Sequence, residues 1–346
     1  MKIIIDAMGG DNAPLEIVKG ALLGMEHWGV EVLLTGDTEA ILRALRDCGH
    51  DTIPHGMEIV HTTETVDMCD DPSKVFRHKK DTSMGVGLTL LRDGKADALV
   101  SAGSTGALLA GATLITKRIR GIRRAAMAPV IPTTGGRAVL IDCGANADCT
   151  PEYLLQFAYM GSYYARTMLG IAAPRVGLLS NGTEDHKGAQ LQHETFPLLK
   201  AADAAGRIRF IGNVEASQVF NGDVDVVVTD GFTGNVLLKG IEGSIKYMTR
   251  QLKGIFMKNF KTKLAALAIK DEFKALKASL DPNEVGGTAM LGISKPVIKA
   301  HGSSDARAIY NAIRQAISFV DSGIIDDITA NISYMRVDKH AAKESN

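Results

Sequence analysis

The sequence predicts an α/β fold in which helices cover both faces of a mostly parallel sheet. Apolar runs of strand length alternate with helical stretches along most of the chain. Four of these runs pass directly into turns of Gly, Ser, Thr, Asn and Asp, as strand ends do along one edge of a parallel sheet. The 346 residues suffice for one large α/β domain or two lobes.

The first strand, 2–6, ends in Asp6-Ala-Met-Gly-Gly-Asp11. Gly9, Gly10 and Asp11 read either as an anion-cradling loop or as a tight turn, with Asp11 or Asn12 capping a helix over 14–27 that opens at Pro14. Strands 31–35 and 57–60 follow, separated by a helix over 38–48, and a longer helix spans 73–92. Strand 97–101 enters Ser101-Ala-Gly-Ser-Thr-Gly106 at the head of a helix over 104–118. There Ser101, Gly103, Ser104, Thr105 and Gly106 either offer an anion several N–H groups or serve close helix–sheet packing.

Strand 138–142 ends in Asp142-Cys-Gly-Ala-Asn146 before a helix over 151–168, and strand 175–180 precedes Asn181-Gly-Thr-Glu-Asp-His-Lys187. Thr183 or Asp185 is expected to cap a helix over 187–204, setting Lys187 in its first turn. A cation opposes the helix dipole there, and a bound anion would account for it; the alternative is a solvated loop lysine. Strands 208–211 and 224–229 come next, the second ending in Thr229-Asp-Gly-Phe-Thr-Gly-Asn235. Thr233 and Gly234 belong to that turn, and Asn235 either faces a cleft or caps a helix over 234–253. Strand 296–300 runs into His301-Gly-Ser-Ser304, where Ser303 and Ser304 bind an oxyanion or cap a helix over 304–321.

Segment 245–280 breaks the alternation. It reads as helical, with apolar residues recurring at Leu252, Phe256, Phe260, Leu264 and Leu267 and, further on, at Leu276 and Leu280. Between Lys246 and Lys277 stand nine Lys or Arg and two acids, a net charge of +7 in a chain whose formal charge is zero. The segment is either a surface helix pair with its apolar stripe packed on the body, or an element lying in a membrane interface or gripping an acidic partner. Residues 336–346 form a polar tail, and 1–335 are expected to make one unit.

Zero net charge and 5% aromatic residues argue against a nucleic-acid partner. Cys48, Cys69, Cys143 and Cys149 have no CxxC spacing, so no metal site is expected. Met1-Lys2-Ile3 enters a strand at once and no run of 18 apolar residues occurs; the expectation is a cytoplasmic protein without signal peptide or membrane span. A G-x-S-x-G elbow, an H-E-x-x-H pair and an evident Cys–His pair are all missing. N–H donors, hydroxyls and one lysine suit a direct displacement in which bound phosphate attacks. Were the electrophile a thioester, its thiol, with a pKa of roughly 8.5 or above, would leave with little acid assistance.

The ordered set Ile5–Asp11, Ser101–Leu108, Asp142–Asn146, Gly182–Asp185 with Lys187-Gly188, Phe210–Glu215, Val228–Val236 and Ile298–Ser304 resembles bacterial phosphate acyltransferases, which are acyl-carrier-protein:phosphate transacylases. The likeness runs from residue 1 to about 330. It implies a three-layer fold similar to the isocitrate and isopropylmalate dehydrogenases and the phosphotransacetylases. It implies formation of acyl phosphate from fatty acyl-acyl-carrier protein and inorganic phosphate for phospholipid synthesis, with no cofactor. It also implies a homodimer, peripheral attachment to a membrane surface, and delivery to a membrane glycerol-3-phosphate acyltransferase. On residue type and resemblance, Lys187 pairs with phosphate and Asn235 donates to the oxyanion. Asp6, Gly9–Asp11, Ser101–Gly106, Asn146, Thr183, Asp185, Thr233, Gly234, His301, Ser303 and Ser304 surround them. The apolar stripe from Leu252 to Leu267 is expected to serve both acyl path and membrane contact.

The family's usual Asn, Val and Tyr-Gly-Gly-Ala stand here as Ser104, Cys143 and Val285-Gly-Gly-Thr288. Rival readings are a nicotinamide-dependent dehydrogenase, a short-chain phosphotransacetylase using coenzyme A, and a non-catalytic scaffold of lipid synthesis.

Overall fold

The computed structural model describes residues 1–67, 69–274 and 286–337. Leu276, Leu280, Val285 and nearly all of the polar tail lie outside the described residues. In chain order the strands are β1 (Lys2–Asp6), β2 (Glu31–Gly36), β3 (Met57–His61), β4 (Ala98–Ser101), β5 (Ala126–Ala128), β6 (Val130–Thr133), β7 (Gly136–Ile141), β8 (Arg175–Leu179), β9 (Arg209–Val214), β10 (Val226–Val228), β11 (Thr288–Leu291) and β12 (Val297–Lys299). The helices are α1 (Leu15–Trp28), α2 (Thr38–Asp47), α3 (Val75–His78), α4 (Ser83–Arg92), α5 (Thr105–Gly111), α6 (Pro151–Met168), α7 (Gln190–Ala204), α8 (Gly231–Phe256), α9 (Phe260–Ala268), α10 (Ala306–Asp321) and α11 (Ile324–Ala330).

The strands form two sheets rather than one. A seven-stranded sheet runs β3-β2-β1-β4-β12-β11-β5, and a five-stranded sheet runs β6-β7-β10-β8-β9. Each is parallel but for one strand, β11 in the first and β6 in the second. The period-2 alternation of strands sorts the core. Ile3 and Ile5 of β1 join the cluster beneath α1 and α10, while Ile4 joins Leu88 and Leu91 of α4 on the other face. In the second sheet Val226 and Val228 face α6, and Val227 faces a smaller cluster under Leu237 and Leu238 of α8. Helices thus cover both faces of each sheet.

Close approach sets the layer spacing. A Cβ on Gly20 of α1 would lie 2.5 Å from Ile309 of α10, and one on Gly161 of α6 would lie 2.5 Å from Val226. The apolar cluster that includes Ile3 also includes Phe157 and Val226, so one core runs between the sheets.

Several elements depart from the sequence expectation. The helix expected over 73–92 is two, broken at 79–82, where Thr82 turns extended and caps α4 by accepting from Gly85 N–H. The helix expected over 104–118 leaves α-geometry after Gly111 for a π-turn over Ala112–Thr116. The helix expected from 187 begins at Gln190, three residues late. Segment 245–280 is not one helix: α8 ends at Phe256, and Asn259 opens α9 by accepting from Thr262 N–H.

Nor does its apolar stripe pack on the body. Phe260 is 81% exposed, Leu264 59% and Leu267 67%, while Leu252 and Phe256 are half-buried, Phe256 with its ring edge-on to Phe273. Added Cβ atoms on Gly240, Gly243 and Gly254 would meet nothing within 4 Å. The outer length of α8 therefore projects from the body. No helix among the described residues is long and apolar enough to cross a membrane.

Candidate active site

Strands β1, β4 and β12 are neighbours, and their carboxyl ends bring one set of motifs together. The buried Asp6 carboxylate accepts from Ser83 Oγ at 2.6 Å, Ser101 Oγ at 2.7 Å and Met8 N–H at 3.3 Å. Burial pushes its pKa up although these hydrogen bonds, and the charge of Lys299, favour the ionised form. Asp6 is thus a tether beneath the loops rather than an open ligand. A Cβ on Gly9 would fall 2.6 Å from Asp6 Oδ2 and 2.7 Å from the Gly103 nitrogen, so only glycine lets these loops meet.

The third loop closes on the first. Asp11 N–H donates to the Gly302 carbonyl at 2.8 Å, and Asn12 Nδ2 donates to the carbonyls of Ser303 and Ser304 at 3.2 Å each. Neither Asp11 nor Asn12 caps α1, whose start at Pro14 has no side-chain cap. Ser104 caps α5, accepting from Ala107 N–H at 3.5 Å, with Thr105 and Gly106 in the first turn. Asp305, not Ser303 or Ser304, caps α10. Ser303 Oγ lies 2.9 Å from His301 Nδ1, and the buried Ser304 Oγ has no partner among the described residues.

Sequence reasoning missed Lys299 at the centre of this cluster. It is 7% exposed, and its ammonium donates to the carbonyls of Ala102 and Ala300, clipping the β4 loop to the β12 loop. Burial lowers its pKa to about 8, against the opposing pull of Asp6 and Asp11. The signal was a lysine inside an apolar strand, two residues before His301. Desolvation, with the nearby charges of Lys239 and Lys299, holds the His301 imidazolium below the usual histidine range, so the ring is neutral at pH 7.

The second sheet builds a counterpart. The buried Asp142 carboxylate, another group the sequence reading passed over, accepts from the N–H groups of Met127 (2.9 Å), Cys143 (2.6 Å) and Asn146 (2.7 Å) and from Asn146 Nδ2 (3.0 Å). Asn146 Nδ2 also donates to Ala125 O at 2.8 Å, so its amide is committed to the turn. A Cβ on Gly234 would meet the Asp142 carbonyl at 2.0 Å, which ties the start of α8 to this turn. Asp230, rather than Asn235, caps α8, accepting from Thr233 N–H at 2.8 Å and Thr233 Oγ1 at 2.7 Å. Asn235 stands exposed on the second turn of α8, its side chain 3.7 Å from where a Cβ on Gly144 would be.

Lys187 lies in the loop before α7, not in a helical turn, so no helix dipole opposes it; Ala189 takes the N-cap position. Thr183 is exposed, and Asp185 faces Lys200 at 3.7 Å; neither caps the helix. Asn213 Nδ2 holds the loop by donating to Glu184 O at 2.8 Å. The Lys187 stem crosses Gly182, where a Cβ would be 2.7 Å from its Cγ. The residue is half-buried, and its ammonium has no hydrogen bond or ion pair among the described residues. Gly188 and Thr233 line one cavity of about 490 Å³, which joins the Lys187 loop to the start of α8.

The structure therefore gathers Asp6, Gly9–Asp11, Ser101, Gly103, His301, Ser303 and Ser304 at the first sheet, and Asn146, Thr233, Gly234, Asn235 and Lys187 at the second. No hydrogen bond or ion pair among the described residues ties Lys187 or Asn235 to the first group. Phe260, Leu264 and Leu267 stand in the open on α9 rather than enclosing an acyl slot.

The fold is shared with known acyl-transfer proteins. A phosphotransacetylase from Streptococcus pyogenes superposes with a TM-score of 0.62 at 20% identity, covering 93% of this chain and 94% of its own. The EutD phosphotransacetylase from Staphylococcus aureus does so at 0.58 and 17% identity, covering 93% and 94%. The sequence likeness is closer. The family described as Fatty acid synthesis protein matches residues 1–327. A phosphate acyltransferase of Thermoanaerobacterium thermosaccharolyticum is 43% identical over 99% of this chain and 100% of its own. Another from Clostridioides difficile is 45% identical over 96% of each. With this likeness along nearly its whole length, the chain belongs to the phosphate acyltransferase family and is an acyltransferase.

Proposed function

We propose that this acyltransferase moves a fatty acyl group from acyl-carrier protein to inorganic phosphate, giving acyl phosphate for phosphatidic acid and phospholipid synthesis. The ammonium of Lys187 carries the reading: a half-buried cation with no hydrogen bond or ion pair among the described residues, next in the chain to a residue that lines a cavity, is a place for an anion. Phosphate is held by Lys187 and by the Gly9–Asp11 and Ser101–Gly106 loops. A phosphate oxygen attacks the thioester carbonyl, Asn235 donates to the resulting oxyanion, and collapse expels the carrier thiolate as the acyl–phosphate bond persists. No covalent acyl-enzyme is required. Burial pushes the thiols of Cys143 and Cys149 up to about 12, which makes them poor nucleophiles.

The enzyme works as a homodimer attached peripherally to a membrane surface through α9 and the outer part of α8, passing product to a membrane glycerol-3-phosphate acyltransferase. The exposed apolar side chains of α9, with lysines at 258, 261 and 263, support the attachment.

The test is phosphate-dependent release of carrier thiol from palmitoyl-acyl-carrier protein, run beside acetyl- and palmitoyl-coenzyme A. Phosphate-dependent release that prefers the long-chain carrier thioester is the expected result. Release from short coenzyme A esters alone would assign the protein to short-chain phosphotransacetylation.

A further inference from the structure

The cavity at the Lys187 loop has a lining that phosphate chemistry does not require. Leu179, Ala216, Val236 and Leu237 supply apolar surface, while Thr233 and Gly188, the latter next to Lys187 in the chain, also line it. Its floor is continuous with a small core: Leu179 is buried there with Val214 and Val227, and Leu237 packs against them. On the first turns of α8, Phe232 is 67% and Val236 57% exposed, apolar side chains left in water. At about 490 Å³ the space is of ligand size. Ser180 Oγ, also in the lining, is buried without a hydrogen-bond partner among the described residues, and lies 3.1 Å from where a Cβ on Gly188 would be. A hydroxyl so placed can donate to a carbonyl near Gly188.

We propose that this groove receives the hydrocarbon chain of the acyl thioester, with the thioester at Ser180 and Gly188, and that Ala189 and Ala216 set the chain length it accepts. The inference rests on the acyl-transfer reading. Both alanines line the groove yet are exposed, so a larger side chain there fills the groove without entering the core. Ala189 holds the N-cap position through its backbone, whose N–H donates to Gln192 Oε1 at 3.1 Å, so its methyl group carries no cap to lose.

The experiment measures kcat/KM, with phosphate, for palmitoyl-, octanoyl- and acetyl-carrier protein in the unaltered enzyme and in Ala189→Phe and Ala216→Phe. Displacing two methylenes from the groove should lower the palmitoyl-to-acetyl ratio about tenfold or more. An unchanged ratio in an active variant overturns the assignment. So does an equal loss on all donors, which would give the groove to the carrier arm common to them. Should a variant lose all turnover, the fluorescent fatty acid cis-parinaric acid decides. Binding to the unaltered protein that weakens tenfold in the variant supports the groove, and equal binding overturns it. Failure of the unaltered enzyme to use any acyl donor sinks the acyl-transfer reading instead, a distinct result.

Discussion

Lys187 and Asn235 stand on different elements and are expected to fail differently. Lys187→Ala should raise the phosphate KM more than the acyl-donor KM, with kcat/KM for phosphate falling about a hundredfold. Asn235→Ala should lower kcat about a hundredfold with little change in phosphate KM, the pattern of a lost oxyanion donor. Steady-state kinetics in both substrates separates the two; an unchanged phosphate KM in Lys187→Ala, or a near-normal kcat in Asn235→Ala, removes that residue from the mechanism. Lys299 makes a prediction in pH. Its folded pKa, about 8, lies below its ordinary 10.5, so between these values the unfolded chain holds a proton that the folded one lacks. Stability from this group therefore rises with pH across that window, while loss of the ammonium weakens its grip on Ala102 and Ala300 and activity falls. Activity and denaturant-melt profiles should diverge above pH 8 in the unaltered enzyme, and Lys299→Met should abolish the divergence.

Among the elements, α9 carries the clearest test. Leu264→Glu should release the protein from anionic liposomes while changing stability by no more than about 0.5 kcal/mol, since the side chain has nothing to lose in the folded state. Unchanged co-sedimentation with lipid would remove α9 from the attachment. Elements with strong local signals were legible in the sequence: β1 with its run Ile3–Ile5, β10 with Val226–Val228, and α6 with Pro151 at its start. Strands β5 and β11 were not, because three or four residues such as Ala126–Ala128 carry too little pattern and pair only through distant partners. The break at 79–82 escaped because a cap such as Thr82 acts through backbone geometry. The loops of the site were readable as small-residue turns. Lys299 and Asp142 were not readable as site groups, because burial and charge environment are properties of the assembled strands.

The whole molecule shares one core between its sheets, so 1–335 should melt as a unit. Trp28, the chain's lone tryptophan, stacks on Tyr310 of α10 and reports on the layer over the seven-stranded sheet; far-UV circular dichroism reports on both sheets. Coincident transitions are expected, and separated ones would split the chain into independent domains. Phosphate at a hundred times its dissociation constant should add about 2.7 kcal/mol of stability and raise the midpoint by a few degrees. Lys187→Ala should lose that rise.

Helix α8 spans 26 residues without interruption, a length of about 39 Å. Its first turn walls the cavity and its last lies against Phe273, at the exposed apolar tip. Such a rod acts as a boom of fixed reach, setting how far the reacting carbonyl stands from whatever the tip touches. Removing one heptad would shorten the boom by about 10 Å and keep the tip facing nearly the same way, whereas removing two residues would swing the tip to the far side.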